Sequence, residues 1–197
     1  MCRPGSLAGR LLAAWDRHTV NRADLILVDT EEMGDYLARL TGRRREDFLA
    51  LPCGDPDAPG EEDPFRYTPP RPGEMLRALF FGTGVPLQGV ETILAAAGRT
   101  GGVRLTLVGG GTLAGPLPDP VERIEGWVDR AGIRRLLRES HLALGIFGAG
   151  EKAGRVVPLK VYNALAEGLP VLTGDSPAVR RLLAPEREIL LAPRGDA

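Results

Sequence analysis

The chain has 197 residues, 43% of them apolar, with 25 Lys and Arg set against 26 Asp and Glu. That length and apolar share suit one full domain, or one domain and part of another, and exclude wholesale disorder. A net charge of −1 gives no general electrostatic ground for binding nucleic acid or an anionic membrane. In chain order, residues 11–22 have helical spacing and end at Ala23-Asp24, and 25–28 form a short apolar strand. Asp29-Thr30-Glu31-Glu32 then provides a helix cap with acidic residues where the dipole favours them. That helix runs to about Leu40 and stops near Gly42. Arg43-Arg44-Arg45, followed by Glu46 and Asp47, reads as a solvated helix end rather than a nucleic-acid patch. A second short strand, 48–51, is ended by Pro52. Two strands and two helices make a poor core alone, so residues 1–52 read as a remnant of a domain. Residues 53–75 are rich in Pro, Asp, Glu and Gly and read as a linker.

From residue 76 to 197 strands and helices alternate. Strands are expected at 77–81, 104–108, 121–125, 142–146, 171–173 and 189–192, and helices at 90–98, 129–140, 159–167 and 178–183. Apolar strands alternating with helices predict an α/β fold, a Rossmann-like parallel sheet with helices on both faces. Ligands of such sheets bind beyond the carboxyl ends of the strands, where the strand order reverses.

Four strand ends carry unusual residues. The first, Phe81-Gly82-Thr83-Gly84-Val85-Pro86-Leu87-Gln88-Gly89, precedes a helix, so its glycines suit a tight turn or a close backbone approach to an anion. The second, Gly109-Gly110-Gly111-Thr112-Leu113-Ala114, matches a loose dinucleotide fingerprint. That fingerprint needs a helix straight after the glycines. Pro116, Pro118 and Pro120 forbid one, which argues against a nicotinamide or flavin site and leaves a glycine-rich floor. The third, Phe147-Gly148-Ala149-Gly150-Glu151-Lys152-Ala153-Gly154-Arg155, suits either a mobile surface loop or a loop over a phosphorylated ligand. In the fourth, Pro158 opens a helix that Gly168 ends. The free amides after Pro158 suit a diphosphate. Lys160 sits in the first turn against the helix dipole, which an anion would relieve. Asn163 lies on the same face.

No run approaches the ~18 apolar residues of a membrane span, which leaves room for peripheral contact only. The apolar stretch after Arg10 is too short for a signal peptide. Cys2 and Cys53 form no zinc or disulfide pattern and read as reduced thiols in the cytoplasm. No metal cluster is visible, and His18 and His141 read as structural.

The segment Pro158-Leu159-Lys160-Val161-Tyr162-Asn163-Ala164-Leu165-Ala166-Glu167-Gly168-Leu169-Pro170-Val171 resembles the "PNK-x-x-E-A-x-A-x-G-x-P-V" stretch of the group 1, or family four, glycosyltransferases. Other pieces resemble that family in order. Ala23-Asp24-Leu25-Ile26-Leu27-Val28-Asp29-Thr30 is similar to "A-D-x-I-x-x-x-T/S". Leu51-Pro52-Cys53-Gly54-Asp55 is similar to "I-P-x-G-x-D". Phe80-Phe81-Gly82-Thr83 with Gln88-Gly89-Val90 is similar to "F-x-G-x…K-G-x", and Leu107–Gly111 to "I-V-G-x-G".

The resemblance implies the GT-B fold, with two Rossmann-like domains facing each other across a cleft. Residues 76–197 would be the nucleotide-sugar-binding domain, and 1–52 the end of the acceptor domain of a longer chain. The implied reaction is hexosyl transfer from a nucleotide-diphosphate sugar, with retention and without cofactor or metal. The acceptor, whether a glycan, a lipid-linked sugar or a small molecule, stays open. Arg155 and Lys160 would act on the diphosphate and Asn163 on the ribose. Gly82, Thr83, Gly84, Gln88, Gly110, Phe147, Gly148, Glu151, Pro158 and Leu159 would line the substrate. The isolated chain would transfer no sugar. It departs from the pattern where Gly84 and Gln88 replace an Arg and a Lys, and where Arg155 and Asn163 replace two glutamates. Those departures keep a non-catalytic binding or scaffold module in view. A nucleotide-sugar 2-epimerase is the lesser alternative, since the sequence shows no paired acids and histidine arranged for that chemistry.

Overall fold

The computed structural model describes residues 6–56, 58, 65–113 and 116–197. Ala114 of the loose fingerprint, Cys2 and residues 57 and 59–64 of the linker lie outside the described residues. The chain divides into two compact units, Met1–Pro52 and Cys53–Ala197.

In the first unit, α1 (Leu7–Arg22) begins one turn earlier than periodicity predicts, because Ser6 Oγ accepts a hydrogen bond from the Gly9 amide at 3.1 Å. Strand β1 (Ile26–Val28) pairs in parallel with β2 (Phe48–Ala50), and α2 (Glu31–Thr41) connects them. Thr30 Oγ1 caps α2 by accepting from the Met33 amide, and Gly42 ends it in the left-handed region. The arginine triplet departs from the sequence expectation, since only Arg44 is solvated. Arg43 donates to the carbonyls of Val20 and Ala23 at 2.8 and 2.7 Å and to Asp47 at 3.0 Å. Arg45 binds Asp35, Glu31 and the Phe48 carbonyl. Two of the three arginines therefore fasten α1, α2 and β2 together by pairing with carbonyls and carboxylates that would otherwise be unmet.

The second unit is a six-stranded, wholly parallel sheet in the order β5-β4-β3-β6-β7-β8. Its elements are β3 (Leu76–Gly82), α3 (Val90–Arg99), β4 (Val103–Gly109), β5 (Val121–Ile124), α4 (Arg130–Arg138), β6 (Leu142–Leu144), α5 (Leu159–Ala166), β7 (Val171–Gly174), α6 (Pro177–Leu182) and β8 (Leu190–Ala192). Period-two alternation divides the core. Ala78 and Phe80 of β3, with Leu105 and Leu107 of β4, pack against Val90, Ile93 and Ala97 of α3. Leu79 faces the other way, toward Leu137 of α4, Val161 and Ala164 of α5, and Val179 of α6. Leu79 and Phe80 are fully buried, each contributing roughly 1.5–3 kcal/mol.

Strand β6 is two residues shorter than predicted. The Gly145 amide still donates to the Leu172 carbonyl at 2.8 Å, but the Ile146 amide turns to Thr173 Oγ1 at 3.1 Å instead of to a strand carbonyl, and the regular strand stops at Leu144. No helix follows the glycines of β4 among the described residues, in line with the prolines there. Among the described residues no helix is long and apolar enough to cross a membrane.

Candidate functional site

The strand order reverses between β3 and β6, which puts the crevice of this sheet at the carboxyl ends of those strands. Three loops meet there through their backbones. The amides of Phe147 and Gly148 donate to the carbonyls of Gln88 and Leu87, each at 3.1 Å. The Gly110 amide donates to the Gly82 carbonyl at 2.7 Å. Gly84 has φ +73°, and a Cβ there would run into the Gly110 carbonyl, so only glycine lets these loops close together. Arg123, unremarked in the sequence, anchors the glycine run by donating to the carbonyls of Gly109 and Gly111 at 2.9 and 2.6 Å.

This packing changes the roles expected of several residues. The Phe147 side chain is buried in the core beside Phe80 and Ile93. Gln88 turns back on its own loop, its Oε1 accepting from the Gly84 amide at 2.8 Å. Gly110 and Gly148 hold the loops to one another rather than forming an open floor. Thr83 is exposed, and its carbonyl faces Gly111.

Lys160 enters this crevice from the first turn of α5. Pro158 precedes the helix with no side chain to cap it, and Leu159, the first helical residue, is half exposed. Lys160 itself is only 7% exposed. Its Nζ stands 3.7 Å from the centre of the Phe80 ring and has no hydrogen-bond partner among the described residues. A Cβ on Gly82 would lie 2.9 Å from that Nζ and 2.7 Å from Gln88 Oε1, so Gly82 makes the room the amine occupies. Burial alone lowers the Lys160 pKa from 10.5 to about 7. An amine so desolvated and unpartnered, beside uncapped helix amides, is poised for an anion.

A cleft of about 880 Å³ opens beside α5, lined by Asp55, Phe81, Trp127, Arg130, Leu159 and Asn163 among others. Asn163 Nδ2 donates to Asp55 Oδ2 at 2.8 Å, and Arg130 donates to Asp55 Oδ1 at 3.1 Å. The Asp55 side chain is 10% exposed. Trp127, between β5 and α4, is 92% exposed at the rim. On the cleft wall, the buried Glu167 carboxylate takes Arg134 at 2.5 Å and Arg138 at 2.8 Å, clamping α4 to the end of α5. Sequence reasoning missed Asp55, which it placed in the linker. The available signal was its position directly after Gly54 in the recognised Leu51–Asp55 stretch.

Arg155 and Glu151 lie on the turn before α5 and pair with each other at 3.3 Å, with Glu151 almost wholly exposed. His141 is buried, its Nδ1 accepting from the Arg77 amide at 3.1 Å. Burial, and then Arg77, hold its pKa below the usual value, against the opposing pull of Glu74.

The model of a family described as glycosyl transferase-like matches residues 88–197. No curated protein sequence matches the chain. Among solved structures, the fold is similar to HepE of Anabaena in complex with UDP-glucose, at TM-score 0.72 and 16% identity, covering 95% of this chain and 55% of that one. Sucrose-phosphate synthase of Thermosynechococcus elongatus gives TM-score 0.70 and 18% identity, over 98% of this chain and 51% of that one. WaaG, a glycosyltransferase involved in lipopolysaccharide biosynthesis, gives TM-score 0.68 and 17% identity, over 98% and 56%. The chain spans about half the length of these structures. A family match over more than half of the residues, on a parallel sheet of this order, means that the chain belongs to the glycosyl transferase-like family, among the group 1 glycosyltransferases of the GT-B fold.

Proposed function

We propose that residues 76–197 bind the nucleotide-diphosphate sugar of a glycosyltransferase, and that 1–52 are the end of its acceptor-binding domain. The observation that carries this reading is the buried, unpartnered Lys160 amine beside the uncapped first turn of α5. The diphosphate lies against that turn and accepts hydrogen bonds from its free amides. Lys160 takes up a proton as the anion arrives and stabilises the negative charge that grows on the diphosphate as the glycosidic bond breaks. Arg155, released from Glu151, adds a second cation from the preceding turn. Asn163 faces the ribose in the adjoining cleft. The hexose passes to the acceptor with retention, and no cofactor or metal takes part. A lipid-linked acceptor would bring the protein to the cytoplasmic face of a membrane.

A second reading, a nucleotide-binding module without turnover, is favoured by one feature. The first loop offers no cation, since Gly84 and the inward-turned Gln88 occupy the positions where the family resemblance calls for them. Calorimetric titration of the chain with UDP, GDP, ADP and their sugars tests the donor site, and UDP-glucose is the first probe because HepE was solved with it. Binding of one series, lost in Lys160→Ala, is the expected result. Binding without sugar transfer by the full-length protein would select the module, and sugar transfer by the 197-residue chain alone would overturn the division of labour.

A further inference from the structure

Arg194 follows β8 and lies outside every motif recognised in the sequence. Its half-buried side chain crosses the carboxyl end of β7, where a Cβ on Gly174 would stand 2.6 Å from its Cγ. The guanidinium ends at the third loop, residues 147–155. Its Nη1 donates to the Gly150 carbonyl at 3.0 Å, and a Cβ on Gly154 would lie 3.4 Å from both Nη1 and Nη2. Glycines on two separate elements thus leave the path of this one side chain open. The Gly150 carbonyl also accepts from the Ala153 amide at 3.0 Å, so two donors fix the start of the Glu151–Gly154 turn. Beside Arg194, the Gly195 amide donates to the Phe147 carbonyl at 2.8 Å. The end of β8 therefore holds the third loop at two points. Residues 149–152 are exposed, and among the described residues Arg194 is the side chain from outside the loop that bonds to them. Asp175 pairs with Arg180 at 2.5 and 2.7 Å, which leaves the Arg194 guanidinium to the loop.

We propose that Arg194 is a positioning residue for the donor diphosphate. By pinning the Gly150 carbonyl it keeps the Glu151–Gly154 turn folded, and so fixes how that turn runs through Arg155 into Pro158 and the first turn of α5. This rests on the nucleotide-binding reading above and adds to it a residue from the far edge of the sheet. A hydrogen bond from a charged donor is the stronger kind, which suits an exposed turn with few other anchors. A turn ordered before the anion arrives costs less to order on binding.

Two measurements on the 197-residue chain test it. Amide hydrogen exchange read by mass spectrometry follows the turn without any ligand. Arg194→Met keeps the stem over Gly174 and removes the guanidinium, and should speed exchange at the Ala153 and Arg155 amides by about fivefold, with α3 and β4 unchanged. Calorimetric titration then compares UDP, GDP and ADP with their bare nucleosides. In Arg194→Met the preference for the diphosphate should fall by about tenfold, the range of a hydrogen bond to a charged group, while nucleoside affinity stays the same. Arg194→Lys keeps the charge on a stem one bond too short for the Gly150 carbonyl, and should behave as Arg194→Met does. Unchanged exchange in Arg194→Met overturns the inference. So does faster exchange with an unchanged preference, or equal weakening of diphosphate and nucleoside, and each of these leaves the nucleotide site standing. A full preference in Arg194→Lys with a fast-exchanging turn overturns it too, because charge alone would then suffice. Failure of every diphosphate to bind the parent chain overturns the nucleotide reading and this inference with it. Circular dichroism on each variant separates loss of fold from loss of positioning.

Discussion

Replacing Lys160 with Met should stabilise the chain, even though it removes the residue assigned to the donor. Methionine matches the four-atom apolar stem, with sulfur for one methylene, and drops the amine, which sits over the Phe80 ring with no partner among the described residues. The fall in pKa from 10.5 to about 7 corresponds to roughly 5 kcal/mol against the protonated folded state, at ~1.4 kcal/mol per tenfold change. A net gain of a few kcal/mol at neutral pH is therefore expected for Lys160→Met. The pH dependence has a definite sign. Between pH 7 and 10.5 the unfolded chain holds a proton on Lys160 that the folded chain lacks, so the parent's stability rises with pH across that window. Below about pH 7 both states are protonated and the full penalty is present. Urea unfolding by circular dichroism from pH 6 to 10 reads both curves. The parent's stability should climb toward that of the variant as pH rises, since the other titrating groups are common to both. Parallel curves, or a variant less stable than the parent at pH 7, would refute the assignment of a desolvated, unpaired amine.

Glu167→Gln leaves Arg134 and Arg138 without their buried carboxylate, and should cost about 3–5 kcal/mol in urea unfolding. Gly84→Ala puts a Cβ against the Gly110 carbonyl at positive φ, so a loss of about 2 kcal/mol together with loss of nucleotide binding is expected from unfolding and calorimetry. Trp127 is one of two tryptophans and stands exposed at the cleft rim, so in a Trp15→Phe background nucleotide should quench its emission; unaltered emission at saturating nucleotide would place the ligand elsewhere. His141, held neutral by burial and Arg77, should make the chain lose stability as pH falls below about 6.5, where the unfolded imidazole gains its proton first. His141→Gln should flatten that acid limb.

The fold was legible because its signals are local and periodic. Apolar runs such as Leu79–Phe81 and Leu105–Val108 sit between turn residues, and each became a strand within a residue or two at either end. The ends of elements were less legible. Ser6 started α1 early through a single cap, and Thr173 Oγ1 ended β6 early through a contact 27 residues away in the chain. Lys160 was visible because a cation in a first turn breaks a local rule. Nothing local marks its amine for burial over Phe80, because that depends on Gly82 leaving room. The inward turns of Phe147 and Gln88 were not legible, for one reason. A strand-end residue can point to a ligand or back into its own scaffold, and only the packing of the loops decides. Asp55 escaped because its partner is 108 residues away.

The first turn of α5 and Lys160 are proposed to bind a nucleotide diphosphate. Calorimetric titration of the chain with UDP, GDP and ADP, in two buffers of different ionisation enthalpy at pH 8, tests it most directly. One series is expected to bind, with uptake of close to one proton as Lys160 becomes an ammonium, and Lys160→Met is expected to abolish both. Binding with no proton uptake, or at full strength in Lys160→Met, would contradict it.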